Sequence, residues 1–236
     1  MATRIASRHR AGFGALALAL ALAGCSDTQR PWFTAPREPR PVAYTPALAV
    51  RALEWCWDHR DAPACADLFT EDFLFQCSIT DSAGSTFRDR VLTRLEEIEV
   101  TRHLLAGGGA QPPANYVSLQ LDHNLISVPD TRPGKGDSRF HQMIPTSVVL
   151  RIDTLGDDFQ VTGAARFFLV RGDSALLPPA GPGGRPGPDS TRWYIQRWED
   201  ETLGTAGIST PADDAAASQT MPPAKPTWCH IKALYR

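Results

Sequence analysis

The sequence lacks three features that would assign it to a familiar class at once. Its most apolar stretch, Ala11–Gly24, is too short for a permanent membrane-spanning helix, which needs about 20 apolar residues. No two cysteines have C-x-x-C spacing, and no cluster of histidine and aspartate has the spacing of metal ligands, so we predict neither a metal site nor a cofactor. With 24 basic and 26 acidic residues the chain has no basic footprint, which makes nucleic acid an unsuitable partner.

The N-terminus instead has the pattern of an export signal. Three arginines among the first ten residues precede the uncharged stretch Ala11–Gly24, so residues 1–24 are predicted to be a signal peptide. The stretch ends in Leu22-Ala23-Gly24-Cys25, which resembles the bacterial lipobox. This resemblance implies cleavage before Cys25 and a diacylglycerol on its thiol. The alternative is an ordinary secretory signal in which the cysteine is incidental.

Lipidation at Cys25 would anchor the chain to a membrane without a spanning helix, because two or more acyl chains hold firmly. Cleavage removes the three leader arginines and changes the formal net charge from −2 to −5. Ser26 follows the lipid cysteine in place of an aspartate, and the resemblance then favours the outer membrane, with the protein facing the periplasm. Residues 25–44 are rich in proline and are predicted to form an extended tether of about 3.1 Å per residue.

Four further cysteines remain in the mature chain: Cys56, Cys65, Cys77 and Cys229. Four thiols allow three complete pairings, and an exported protein occupies a compartment where disulfides persist. A bridge between Cys56 and Cys65 across a predicted helical hairpin is one candidate. The alternative for each cysteine is a small buried hydrophobic residue.

The first half of the chain shows helical signals around one strand. Thr45 and Asp61 are predicted to cap two short helices that each have proline in the first turn. Alternating apolar residues predict a strand over Asp72–Ser78. A capping pattern at Thr86 predicts a third, longer helix that ends at the glycines from Gly107 onward.

In the second half the apolar period changes to two, which is typical of strands. Four long strands in succession predict an antiparallel meander: Asn115–Val128, Thr146–Leu155, Gln160–Arg171 and Thr191–Glu201. Residues 178–190 and 204–226 are dominated by Pro, Gly, Ala, Thr and Ser, so we predict no core there and treat 204–226 as a linker. The final segment, 227–236, is predicted to return as a docked strand because its apolar residues need cover.

This order of elements resembles the NTF2-like superfamily. The run from Leu53 to Asp61 and the run from Ala66 to Phe75 resemble the opening of SnoaL-like domains, and the run from Trp193 to Asp200 resembles their last strand. The resemblance implies an α+β fold over residues 45–203, a cone in which a curved antiparallel sheet wraps around the helical hairpin and the third helix. Because this fold hosts many enzymes and many domains that only bind, it does not decide the function.

Such a cone is expected to hold an apolar pocket with a few polar groups. The candidate pocket residues are Tyr116, Arg166, Trp193 and Trp198. The alternative for Arg166 is an ion pair with an acid of a neighbouring strand on an exposed face, and for the tryptophans it is the core. Asp122 is expected to be solvated, since it shares the polar side of its strand, and His123 is expected at the core or its rim.

Three functions remain open at this point. The first is a non-enzymatic envelope lipoprotein whose domain binds a small apolar ligand or a protein partner, with a homodimer through the sheet as one form of assembly. The second is a SnoaL-like isomerase, cyclase or hydrolase that uses a buried carboxylate in the cone as its base. The third is a structural envelope protein. A pocket filled by the chain's own aromatic side chains would argue against the enzyme.

Overall fold

A computed structural model describes residues 38–77, 91–175, 177, 188–201 and 227–236. The described residues from Arg40 onward belong to one compact unit. The signal peptide, Cys25, most of the tether and the linker 204–226 lie outside the described residues, so their predicted roles remain predictions.

The two N-terminal helices begin where their caps predict. Helix α1 spans Pro46–Asp58, and the Thr45 side chain accepts a hydrogen bond from the Leu48 amide. Helix α2 spans Ala62–Ala66, and the Asp61 carboxylate accepts from the Ala64 amide. Both caps satisfy an amide that lacks a partner in the first turn, so the helical hairpin is confirmed.

Strand β1 spans Phe69–Gln76, longer at its N-terminal end than predicted, and buries Phe73 and Phe75. A short strand β2, Val91–Thr93, follows the undescribed segment and leads directly into helix α3, Arg94–Ala106. The prediction that this helix begins at Thr86 is wrong in the described part, because Val91–Thr93 is extended and Thr93 with Glu96 forms the capping box. The predicted end is confirmed: Gly107 caps α3 with a φ of 86°, a conformation that glycine adopts without strain.

The remaining strands are β3 (Tyr116–Leu121), β4 (Val128–Pro129), β5 (His141–Asp153), β6 (Asp158–Arg171) and β7 (Trp193–Asp200). The first predicted strand is shorter than expected, since it ends at Leu121 and resumes only as the two-residue β4. The described strands form one sheet in the order β2-β1-β7-β6-β5-β3, with β4 beside β5. The pairs β3–β5, β5–β6 and β6–β7 are all antiparallel, so the predicted meander is confirmed.

Two register shifts bend this sheet, one in β1 between Phe69 and Leu74 and one in β6 between Phe168 and Leu169. Strand β7 pairs in parallel with β1, which joins the N-terminal half of the chain to the meander. Helix α1 packs against β3, β5 and β7, and α3 packs against β1 and β2. The described residues therefore have the predicted α+β arrangement, in which a curved sheet packs around helices.

The C-terminal segment is a helix and not the predicted strand. Helix α4 spans Trp228–Leu234, and the Thr227 side chain accepts from the His230 amide as its N-cap. Its apolar residues recur at helical spacing, and Trp228 and Ile231 are almost completely buried. The segment does dock on the domain, as its apolar residues required, but it docks as a helix.

The predicted tether ends earlier than Tyr44. Ala43 is fully buried, and its carbonyl accepts a hydrogen bond from the Trp193 amide of β7. The Arg40 guanidinium donates to the Ala64 carbonyl of α2 at 2.8 Å. Residues 40–44 therefore belong to the folded domain, because Ala43 is buried and hydrogen bonds join this segment to β7 and α2.

Side chains of α1 protect the outer edge of the sheet at β3. Asp58 Oδ1 accepts from the Leu119 amide at 2.8 Å, and Glu54 Oε1 accepts from the Leu121 amide at 3.0 Å. Burial raises the pKa of Asp58 against the lowering effect of this amide. The two carboxylates satisfy strand amides that would otherwise invite a further strand.

No helix in the described ranges is long and apolar enough to cross a bilayer.

Candidate functional site

The interior of the cone contains a buried ion pair between its third helix and its last helix. The Lys232 ammonium of α4 donates to both carboxylate oxygens of Glu97 on α3. The side chains are 3% and 0% exposed, so the pair is cut off from solvent. Burial lowers the pKa of Lys232, while the Glu97 carboxylate and the nearby Asp200 carboxylate act in the opposite direction.

Aromatic rings surround the ammonium on its other sides. Lys232 Nζ lies 3.6 Å from the centre of the Phe75 ring, 4.9 Å from that of Trp198 and 5.7 Å from that of Trp228. The Trp198 ring in turn contacts Phe75, Phe167 and Trp228 at centroid distances from 4.7 to 5.3 Å. We call Glu97, Lys232, Phe75, Trp198 and Trp228 the ammonium cluster. Its own side chains fill this part of the cone.

The four predicted pocket residues do not come together. Trp198 is 1% exposed within the ammonium cluster, and Trp193 is buried at the start of β7, where its amide donates to the Ala43 carbonyl. Tyr116 is 54% exposed at the beginning of β3. The alternative is therefore correct for both tryptophans, which belong to the core.

Arg166 likewise follows its alternative. Its guanidinium pairs with Glu199 at 3.3 Å and with Glu201, on the outer face of the sheet, and its side chain is 43% exposed. Arg197 on β7 extends the same row of charges through its own contact with Glu199 at 2.7 Å. The outer face at this end of the sheet is thus charged, and Arg166 does not point into the cone.

The disulfide joins Cys77 to Cys229, with their Cα atoms 6.0 Å apart. It fastens the beginning of α4 to the end of β1. The predicted Cys56–Cys65 bridge is wrong: both thiols are free and buried. Burial and a hydrogen bond with Cys56 raise the pKa of the Cys65 thiol. These two residues behave as small apolar core residues, the alternative stated for them.

Asp122 and His123 are both exposed beyond the end of β3. Asp122 is solvated, as predicted, and the Ser147 amide with the Thr146 hydroxyl holds its pKa below the usual range. The expected core or rim position of His123 is wrong, because the strand ends at Leu121 and its alternation no longer applies. Both backbone carbonyls accept from Arg51 of α1.

A second polar group, which no sequence pattern indicates, joins the beginning of β5 to the residues that follow β6. His141 Nε2 and Ser174 Oγ are 3.1 Å apart and both residues are buried. His141 Nδ1 has no hydrogen-bond partner among the described residues, and burial lowers the pKa of the ring. The buried Asp130 carboxylate that precedes them in the chain is engaged by Arg132 at 2.7 Å. Among the described residues, no third group hydrogen-bonds the ring in the way that orients a catalytic histidine.

The described residues contain no cluster of three side chains able to hold a metal ion. The sequence gives no local signal for the charged residues of the ammonium cluster. Glu97 stands in a helix and Lys232 in a short C-terminal segment, and both residue types are normally solvated. Nothing in the local pattern of either residue marks it as buried.

No protein-family model and no curated protein matches this sequence. Among solved structures, an NTF2-like superfamily protein from Salmonella enterica is similar at 11% identity and a TM-score of 0.43, over 70% of this chain and 92% of that chain. An NTF2-like protein with a cystatin-like fold from Novosphingobium aromaticivorans is 16% identical, with a TM-score of 0.38, over 67% and 80%. ActVI-ORFA from Streptomyces coelicolor is 14% identical, with a TM-score of 0.39, over 65% and 91%. The likeness concerns the fold, and the activities of these proteins are not transferred to this chain.

Proposed function

We propose that the protein is an exported lipoprotein, anchored through lipid on Cys25, whose NTF2-like domain has no enzymatic activity and binds a protein partner from the periplasmic side of the outer membrane. The observation that carries the non-enzymatic part is the filled interior. Phe75, Trp198 and Trp228 pack around Lys232 where a ligand would otherwise lie. A small apolar ligand, the other option, would have to displace these side chains.

Export is supported by the Cys77–Cys229 disulfide. Structural disulfides persist in the periplasm and outside the cell and are rare in the reducing cytosol. The leader ahead of Cys25 would direct export of the chain. Its removal would take away three arginines, and the mature protein would then be acidic.

The enzymatic alternative needs a carboxylate that is free to accept a proton. Glu97 does not meet this need, because the Lys232 ammonium binds both of its oxygens and Thr101 Oγ1 lies 3.4 Å from one of them.

The outer sheet face is the surface we propose for the partner. It carries a row of charges at Arg166, Arg197 and Glu199, of which Arg166 is 43% exposed, and such a polar face suits a reversible interface. Addition of a strand at β3 is disfavoured, because Glu54 and Asp58 already occupy the strand amides there. A second copy of this chain is one form that the partner can take.

The anchor is tested by labelling cells with radioactive palmitate. The full-length protein should take up label and fractionate with the outer membrane, and a Cys25→Ala variant should do neither. If the variant still takes up label, lipidation at this cysteine is wrong. The surface is tested by an Arg166→Glu, Arg197→Glu variant, which should lose cross-links to its envelope partner while it keeps the thermal stability of a well-folded domain. Unchanged cross-links would exclude this face.

A further inference from the structure

The ammonium cluster has the composition of a binding site whose occupant is already present. Glu97 supplies a carboxylate that accepts two hydrogen bonds from one cation, and it is fully buried. Phe75 and Trp198 supply ring faces at 3.6 and 4.9 Å from that cation. Aromatic faces with a buried carboxylate form the arrangement that binds organic cations, since both attract positive charge in a medium of low dielectric constant.

We propose that this cluster is a binding site for small primary alkylammonium ions, which the chain occupies with its own Lys232. Helix α4 is then the carrier of a tethered ligand. Glu97 of α3, Phe75 of β1 and Trp198 of β7 form the binding site itself. Trp228 of α4 packs beside them and completes its wall.

The geometry selects a primary ammonium over other cations. Two of its three N–H groups donate to the two oxygens of Glu97, and the contact with Phe75 leaves space for only a compact head. A planar guanidinium carries its donors in a fixed fork and is wider, and a quaternary ammonium has no donor for the carboxylate. Lys232 reaches the carboxylate through four methylene groups, so the proposed ligand carries an unbranched alkyl chain.

The disulfide keeps the site occupied. Cys229 lies three residues before Lys232, and its bond to Cys77 holds α4 against β1. His103 Nδ1 lies 2.9 Å from the Tyr235 carbonyl, which holds the other end of the helix. An external amine therefore cannot compete in the native protein, but α4 stays in place when Lys232 alone is shortened.

The test is chemical rescue of a Lys232→Ala variant of the mature protein with its disulfide intact. Alanine removes the part of lysine beyond Cβ, which corresponds to n-propylammonium. We expect the variant to have a lower Tm than the wild type, and n-propylammonium chloride to raise this Tm in a saturable manner. Equal concentrations of 1-propanol, tetramethylammonium chloride or sodium chloride should not. The wild-type protein should not respond, because its site is occupied.

A Glu97→Gln, Lys232→Ala variant is the matched control, since it keeps the cavity and removes the carboxylate. It should show no rescue by n-propylammonium. Rescue that is equal with 1-propanol would reduce the site to a simple apolar cavity, and rescue that persists in the control would exclude Glu97; either result overturns the proposal. If Lys232→Ala does not fold without additive, n-propylammonium must restore its near-ultraviolet circular dichroism, and failure to do so overturns the proposal as well.

Discussion

Lys232 and Glu97 are 135 positions apart in the chain, yet their charged groups meet inside the domain with almost no exposure to solvent. Transfer of both charges from water is costly, and the pair recovers this cost only while both members are present. The contact therefore makes the position of α4 depend on a residue of α3, in addition to the covalent bond at Cys229.

Removal of the Glu97 charge alone should destabilise the domain strongly. A Glu97→Gln variant leaves a buried ammonium without its main partner, and we expect a loss of about 3–5 kcal/mol in the free energy of unfolding. A Glu97→Gln, Lys232→Met variant should recover much of this loss, because no charge is then buried there. Urea unfolding measures both. Glu71→Gln is the control, since Glu71 is half exposed and lies 3.9 Å from Arg94, so its loss should cost less than about 1 kcal/mol.

The Cys77–Cys229 disulfide should be detectable by counting thiols. In a Cys25→Ser variant unfolded without reductant, two thiols should react, those of Cys56 and Cys65, and four should react after reduction. Replacement of Cys77 and Cys229 by serine should lower the free energy of unfolding by about 2–5 kcal/mol, since the bridge closes a long loop. In the Cys25→Ser background, replacement of Cys56 by alanine should leave one thiol that reacts without reductant, that of Cys65. A bridge between Cys56 and Cys65 would instead leave three reactive thiols in that variant.

His141 should make the stability fall in mildly acidic solution. Burial and the charges of Lys135 and Arg132 lower its pKa, while Asp130 and Asp137 act in the opposite direction. Because the folded ring stays neutral below the usual pKa of about 6.5, the unfolded chain binds the extra proton. The contribution of neutral His141 to the free energy of unfolding is complete above about pH 6.5. It is lost as the pH falls from there towards the pKa of the ring in the folded state. Urea unfolding measures the free energy of unfolding at pH 7.5 and at pH 5.5. The difference between these two values should be smaller for His141→Gln than for the wild type, and an equal difference would assign the effect to other groups.

Arg60 should show two opposing effects at one position. It follows α1 with a φ of 54°, a conformation that costs about 1–2 kcal/mol for a residue with a Cβ. Its guanidinium donates to the Leu105 carbonyl at 2.6 and 3.0 Å, near the end of α3. Arg60→Ala should therefore be less stable than the wild type. The free energy of unfolding of Arg60→Gly should be higher than that of Arg60→Ala by about 1 kcal/mol, because glycine adopts this φ without strain. Thermal unfolding of the two variants measures the difference, and equal Tm values would contradict the backbone argument.

The local signals in the sequence predict the elements well where a cap or an alternation is present. Thr45, Asp61 and Gly107 mark helix ends at the right residues, because each position satisfies a backbone group or a backbone angle that is set locally. The start of α3 was misplaced at Thr86, although Thr93 and Glu96 form the complete capping box. Val91 and Leu92 belong to β2, but in the sequence alone they continue the helical spacing of apolar residues in α3.

The site could not be derived in this way, because its parts meet only through tertiary structure. The pairing of four cysteines is not contained in their spacing, and Cys77 reaches Cys229 only because α4 returns to β1. The sequence also gives Lys232 the appearance of a surface lysine. Tyr116 and Arg166 failed as pocket residues for a related reason, since their orientation depends on where each strand begins and on which face is covered.

Strand β7 lies between β1 and β6, and this position has a consequence for the order in which the domain can assemble. A chain that terminates before Trp193 would carry the helical hairpin and most of the meander but would present two unsatisfied strand edges at once. Such fragments tend to self-associate through their open edges. Completion of the sheet must therefore wait until Trp193–Asp200 has been synthesised, so the order of assembly is set by a strand that joins both halves of the sheet.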